Sequence, residues 1–252
     1  MAKIKPFSAI RPVKGQEQFA KKYGYENIVA KINSGDLHVV DDPGLYVYRL
    51  EWPGHVQTVL VACLSVDDYM SQVIKGHENA VEKACDKMTD NIAHFNVQMK
   101  PAFIGYHQKD RITEMNEKYT CDKAPIFEFD SDGVHHTVWN VDDFSKVANY
   151  RDALAGINEL FIVGNEEAAA SSVMAALQKR TENPDYTGDE DFNYFLAVLG
   201  DYDEIKTNSG IILPPVQENL LMHCIGDKAP QKWDRYSSRE AFIDGDLASV
   251  AP

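Results

Sequence analysis

Apolar positions along this chain fall into short alternating runs and longer helical patterns, and the turn residues between them mark out hairpins and helices. LYVYRLEW (45–52) and VQTVLVACL (56–64) alternate or run apolar on either side of Pro53 and Gly54, which predicts an antiparallel hairpin. PIFEFDSDGVHHTVWNV predicts a second hairpin, turning at Asp132 and Gly133. The segment through Pro12 is expected to be extended. Residues 16–33 then place Phe19, Tyr23, Ile28, Val29 and Ile32 at mixed helical spacing, until Gly35 and Asp36 stop the pattern. Ser65, with Asp68 three residues on, resembles a capping box and predicts a long helix, broken near Gly76. PAFIGY (101–106) predicts a short strand and residues 110–119 a helix. DDFSKVANYRDALAG (142–156) predicts a helix with apolar positions 144, 147, 148 and 154 and Gly156 as its C′ stop. Residues 157–180 predict a buried strand (158–163), a one-step turn at Gly164 and a helix (166–180). FNYFLAVLG (192–200) predicts a strand apolar on both faces, and GIILPP (210–215) a final edge strand.

Hairpins mixed with helices, rather than a regular βαβ array, predict an α+β fold: a mixed, largely antiparallel sheet with packed helices in a single compact domain. Residues 1–226 are expected to form that domain, with residues 227–252 a polar tail. At 252 residues and 44% hydrophobic content the chain can bury a sizeable core. Its 39 acidic against 25 basic residues, a net charge of −14, argue against nucleic acid or an anionic membrane as a partner, since both need a basic footprint. Small molecules, cations or other proteins remain as partners, and the oligomeric state is left open. No apolar run approaches the roughly 18 residues of a membrane span. The opening MAKIKPFSAIRP has charges and proline where a secretion signal needs an apolar stretch, so a cytoplasmic location is expected. Cys63, Cys85, Cys121 and Cys224 lie far apart with no C-x-x-C pair, which predicts reduced, partly buried thiols rather than a zinc cage or redox dithiol.

The turn at Gly164 carries the most chemical information. A helix start after a glycine turn is a common anion site, because backbone N–H groups and the positive end of the helix dipole converge there. Here Glu166 and Glu167 occupy the helix's first turn. Carboxylates suit the dipole, at roughly 0.3–1 kcal/mol each. They oppose a bound phosphate: at ~6 Å and an effective dielectric of ~20, each carboxylate costs about 3 kcal/mol per unit of phosphate charge. The turn has the shape of an anion site and the wrong sign of charge.

Other groups have duller readings. His77 and Glu78 are adjacent, but the fourth position after His77 is Val81, so the two-histidine zinc helix is absent. On a helix, Val73, His77, Val81, Ala84 and Met88 share one face, which suits a core histidine. His135 and His136 alternate across a strand, cannot chelate together, and are expected on the surface. The acidic run 185–191 lacks calcium-loop spacing and reads as a solvated loop. Neither a phosphate-binding G-x-x-x-x-G-K nor a nucleophile G-x-S-x-G is present.

IKPFSAIRP, LYVYRLEW, SVDDYMSQVIKGHEN, NVQMKPAFIGY, DSDGVHHTVWNVDD, LFIVGNEEAAAS and NPDYTGDEDFNYFLAVL, in this order, resemble the bacterial domain-of-unknown-function family numbered one thousand and fifteen. Members of that family are longer and resemble free-serine kinases of the ParB and sulfiredoxin type, with an Asp-Gly-His-His-Arg signature at a strand-to-helix turn. The resemblance implies phosphotransfer to a small amino acid from a nucleotide or pyrophosphate donor. At the signature this chain has Gly164, Asn165, Glu166, Glu167 and Ala168, so the Asp, both His and the phosphate-gripping Arg are replaced. The family's His-Glu segment survives as His77 and Glu78, with Ala80 where a Thr is expected. Asn96, Gln98 and Pro101 match, and the resemblance makes Asn96 and Gln98 polar pocket groups. Two functions follow as expectations. One is a non-catalytic relative that binds a small ligand or a partner protein through Asn96, Gln98, Gly164, Asn165, Glu166 and Glu167. The other is a phosphotransferase in which His77, Glu78, Glu166 and Glu167 hold a magnesium ion that engages the phosphate.

Overall fold

Both faces of the central sheet are covered, which explains why its strands run apolar instead of alternating. The computed structural model describes residues 2–76, 84–107, 110–207, 210–211 and 213–226. In chain order the strands are β1 (Ile4–Lys5), β2 (Ala9–Pro12), β3 (Leu37–Val39), β4 (Leu45–Trp52), β5 (His55–Ser65), β6 (Ile74–Lys75), β7 (Val97–Gln98), β8 (Ala102–Tyr106), β9 (Phe127–Ser131), β10 (Val134–Val141), β11 (Leu160–Gly164), β12 (Tyr194–Asp201), β13 (Lys206–Thr207), β14 (Gly210–Ile211) and β15 (Met222–Cys224). The helices are α1 (Tyr25–Asn33), α2 (Val66–Met70), α3 (Asp86–Phe95), α4 (Asp110–Asp122), α5 (Phe144–Ala155), α6 (Glu166–Glu182) and α7 (Tyr202–Ile205).

Among the described residues the main sheet has nine strands in the order β6-β11-β8-β12-β5-β4-β10-β9, with β1 added against β5. Only the β6–β11 and β8–β12 neighbours are parallel, so the sheet is mixed and largely antiparallel, as expected. One face presents Val47, Leu60, Ile104, Phe195 and Leu199 to residues of α3, α4, α5 and α6. The opposite face presents Tyr46, Tyr48, Val61, Leu196 and Val198 to a second sheet, β3-β2-β15-β7, and to α1. The result is an α+β domain of three layers.

Turn chemistry placed the hairpins correctly. Gly54 (φ +80°) closes β4–β5, and Asp132 and Gly133, both left-handed, close β9–β10. Helix α1 ends in a Schellman motif: Gly35 is left-handed, its N–H bonds Ile32 O, and Asp36 N–H bonds Lys31 O. The pattern over 16–33 splits, however, into a 3-10 turn at Glu17–Lys22 and the helix.

Four expectations need correction. Ser65 does cap a helix, accepting from Asp68 N–H, but α2 is five residues long because Gln72 turns left-handed (φ 60°) and the chain runs out into β6. The helical face through Val73, His77 and Met88 is therefore not continuous, and His77 and Val81 lie outside the described residues. Gly156 is a right-handed C-cap (φ −76°), not a left-handed C′ residue, and Phe144 in the first turn of α5 is 87% exposed. GIILPP contributes only β14, paired with β13, while β15 is the last strand. His136 is buried, stacked on Phe129 with its Nδ1 2.9 Å from the Tyr48 hydroxyl; only His135 is on the surface, beside Asp130. Tyr48 Oη accepts from Gln217 N–H, so its proton goes to His136 Nδ1 and the ring carries its own on Nε2, facing Ser131 O.

Gly105, inside β8, has no room for a side chain: a Cβ there would sit 2.8 Å from Phe161 Cε2 and 2.9 Å from Val163 Cγ1. Gly105→Ala is expected to cost about 1–3 kcal/mol by overpacking, a fall in Tm of about 3–10 °C by calorimetry. An unchanged Tm would mean the neighbouring strand yields freely.

Candidate functional site

Strands β6 and β11 lie side by side and parallel, with Leu160 opposite Ile74 and Phe161 opposite Lys75. Their carboxyl ends therefore open at the same edge of the sheet, β6 into Gly76 and β11 through Gly164 into Asn165. A crevice outside the carboxyl ends of parallel strands is where sheets of this kind collect ligands. His77 and Glu78 follow Gly76 directly and lie outside the described residues. Lys75, the basic residue ending β6, is paired with Glu159.

The backbone of the predicted turn is present, displaced by one residue. Gly164 completes β11, and Asn165 makes the turn in the left-handed region (φ 55°), with its Nδ2 donating to Pro101 O at 2.7 Å. Asparagine is one of the few residues that adopts this conformation cheaply. At Gly164 a Cβ would lie 2.6 Å from Leu213 Cδ1, the free end of a side chain that is 36% exposed. Leu213 thus fills the volume that a side chain at position 164 would use. At the start of α6, Ala168 N–H already bonds Asn165 O at 3.0 Å, so one of the N–H groups an anion would meet is engaged.

Glu166 is buried, with its carboxylate against Gly76. Its Oε1 would be 2.7 Å from a Cβ on Gly76, and the ring of Tyr69 would be 3.1 Å from that same point. Glycine at 76 is what admits the carboxylate. The Tyr69 hydroxyl is buried without a hydrogen-bond partner among the described residues, and burial, then the charge of Glu166, push its pKa up to about 12. Glu167 points to solvent, and Ala168 is buried, 2% exposed, against the interior. Behind this turn α6 is buried nearly all round by small residues, which lets α3 approach closely enough for Cys85 N–H to donate to Ser171 Oγ at 3.0 Å.

The other expected pocket groups have work within the scaffold. Asn96 caps α3 in the left-handed region (φ 55°), and its carbonyl accepts from Ile225 N–H. Gln98 is 1% exposed: its Nε2 donates to Tyr194 O at 3.0 Å and its Oε1 accepts from Leu196 N–H at 2.7 Å. Strand β8 pairs with β12 only from Ala197 onward, so the Gln98 amide stands in for the missing strand beside residues 194–196. Tyr69 and Gly76 stand beside Glu166, and Leu213 lies over Gly164. The approach of Gly76 to Glu166 follows the pairing of β6 with β11, and a two-residue strand leaves no periodicity to read.

No curated protein and no solved structure matches the chain. A family model described as "Protein of unknown function (DUF1015)" matches residues 4–207, a span that includes every element around the crevice except the Leu213 segment, and the chain belongs to that family.

Proposed function

We propose that this protein is a diverged, non-catalytic member of its family that binds a small ligand or a partner protein, its ancestral anion crevice closed to phosphoryl groups. The observation that carries the reading is the pair of side chains occupying the crevice: the Glu166 carboxylate packed against Gly76, and Leu213 over Gly164. Relative to the Asp-Gly-His-His-Arg signature, the backbone turn is kept by Asn165 while the acid, both histidines and the arginine are gone. Losing arginine removes a bidentate charge-assisted contact to phosphate. Each carboxylate then opposes each unit of phosphate charge by about 3 kcal/mol, on the order of a hundredfold in affinity.

Calorimetric titration of the full chain with serine, ATP, ADP and pyrophosphate, with and without magnesium, tests this. Pyrophosphate alone is expected to give no saturable heat, and Glu166→Gln to strengthen pyrophosphate binding by about a hundredfold. Formation of phosphoserine by the wild-type protein at an ordinary enzymatic rate would overturn the reading. One alternative is favoured by the approach of Gly76, the residue before His77 in sequence, to Glu166. A magnesium ion held there by His77, Glu78 and Glu166 would carry the phosphate on the metal, and pyrophosphate binding would then appear only with magnesium and vanish in His77→Ala.

A further inference from the structure

A second cleft lies at the other end of β8. Going along the helix-covered face of four neighbouring strands, one row is apolar: Ile104, Leu199, Leu60 and Val47, linked across the sheet by register. Two residues further on, all four positions become polar at once: Tyr106, Asp201, Thr58 and Arg49. This row is still covered by α4, which presents Thr113, Asn116, Glu117 and Thr120, the i, i+3, i+4, i+7 face of a helix. Two polar surfaces therefore face each other inside the domain around a cleft of about 160 Å³, on the order of five water volumes. The cleft sits at the carboxyl ends of the parallel pair β8 and β12.

Polar groups inside it are not all satisfied. Asn116, 6% exposed, accepts from the Tyr150 hydroxyl at 2.9 Å through Oδ1, while its Nδ2 has no hydrogen-bond partner among the described residues. Asp201, also 6% exposed, accepts from Asp203 N–H at 2.9 Å through Oδ1, and its other oxygen is likewise unengaged. Charge decides what fits. Asp201, Glu204 and Glu117 line the cleft against one cation, Arg49, which is already 2.7 Å from Glu51. Burial, and then the charge of Asp201, raise the Glu204 pKa; burial raises that of Asp201 against smaller opposing effects of the Asp203 N–H and His107.

We propose that this cleft binds a small aliphatic primary amine, with the ammonium group held between Asp201 and Glu204 and the chain lying over Thr58 beneath α4. An ammonium group supplies three donors to carboxyl oxygens beyond Asp201 Oδ1, which already accepts from Asp203 N–H, in a volume suited to a ligand of a few heavy atoms. Five residues of β8 separate this cleft from the Gly164 turn, roughly 13 Å of strand, so the inference stands apart from the reading of that turn.

Titration of the full chain with butane-1,4-diamine at about 0.15 M salt, where long-range attraction to an acidic surface is screened, tests the assignment. One saturable site is expected, with no binding of uncharged butan-1-ol. Asp201→Asn is expected to weaken diamine binding at least tenfold; if that variant does not fold, Glu204→Gln, at the solvent-facing mouth, serves the same purpose. Absence of saturable binding, equal binding by folded Asp201→Asn or Glu204→Gln, or saturation by magnesium with no response to the diamine would each overturn the proposal.

Discussion

Replacing Gln98 by leucine is expected to lower the stability of the domain by about 2–5 kcal/mol, although the two side chains are similar in volume. The side chain is 1% exposed and satisfies two backbone groups of β12, Tyr194 C=O and Leu196 N–H, that no strand reaches. Removing it leaves both unpaired in the interior, at about 1–3 kcal/mol each. Urea denaturation is the measurement, with the midpoint falling and the slope preserved. A loss below about 0.5 kcal/mol would show that water or a shifted backbone replaces the amide, and would return Gln98 to consideration as a ligand group.

Acid is expected to destabilise the protein through His223. This ring is fully buried on β15, edge-on to Phe7, with its Nε2 3.1 Å from Asp191 O. Burial lowers its pKa from 6.5 to about 4. The folded state therefore keeps the ring neutral at a pH where the unfolded chain already takes up a proton. The contribution is complete above pH 6.5 and is lost as the pH falls through about 4. Over that window it amounts to ~3 kcal/mol. Carboxylates titrate in the same range, so the comparison is with His223→Gln, which retains a donor toward Asp191 O and has no titrating ring. Between pH 7 and pH 4 the wild type should lose ~3 kcal/mol more than the variant. Parallel stability curves for the two proteins would show that the ring is already protonated, or hydrated, in the folded state.

What could be read from the chain follows from where each signal is stored. Hairpins declared themselves because Pro53-Gly54 and Asp132-Gly133 fix backbone angles locally, and α4, α5 and α6 because their patterns run for three turns or more. Strands β6 and β15 were invisible: two or three residues carry no period, and their identity is set by the strands they join. The candidate site divides in the same way. Glu166 and Glu167 were legible at a helix start, whereas Leu213 over Gly164 and Gly76 beside Glu166 depend on approaches between distant segments. Gln98 and Asn96 are pocket groups by resemblance; in the structure the Gln98 amide bonds the backbone of β12 and Asn96 caps α3 through its own backbone. His136 was misjudged because its hairpin position suggests solvent, while the opposite face of β10 is covered. The polar row at Tyr106, Asp201, Thr58 and Arg49 needs the strand order before it exists as a pattern at all.

Strand β9 ends the order of the large sheet, and its outward residues Glu128 and Asp130 are exposed. A second molecule approaching to extend the sheet would bring the same two carboxylates against them, on a protein already carrying a net charge of −14. That rim is protected against fibril-like stacking, and concentrated solutions of the protein should tolerate low salt better than high salt, where the mutual repulsion fades.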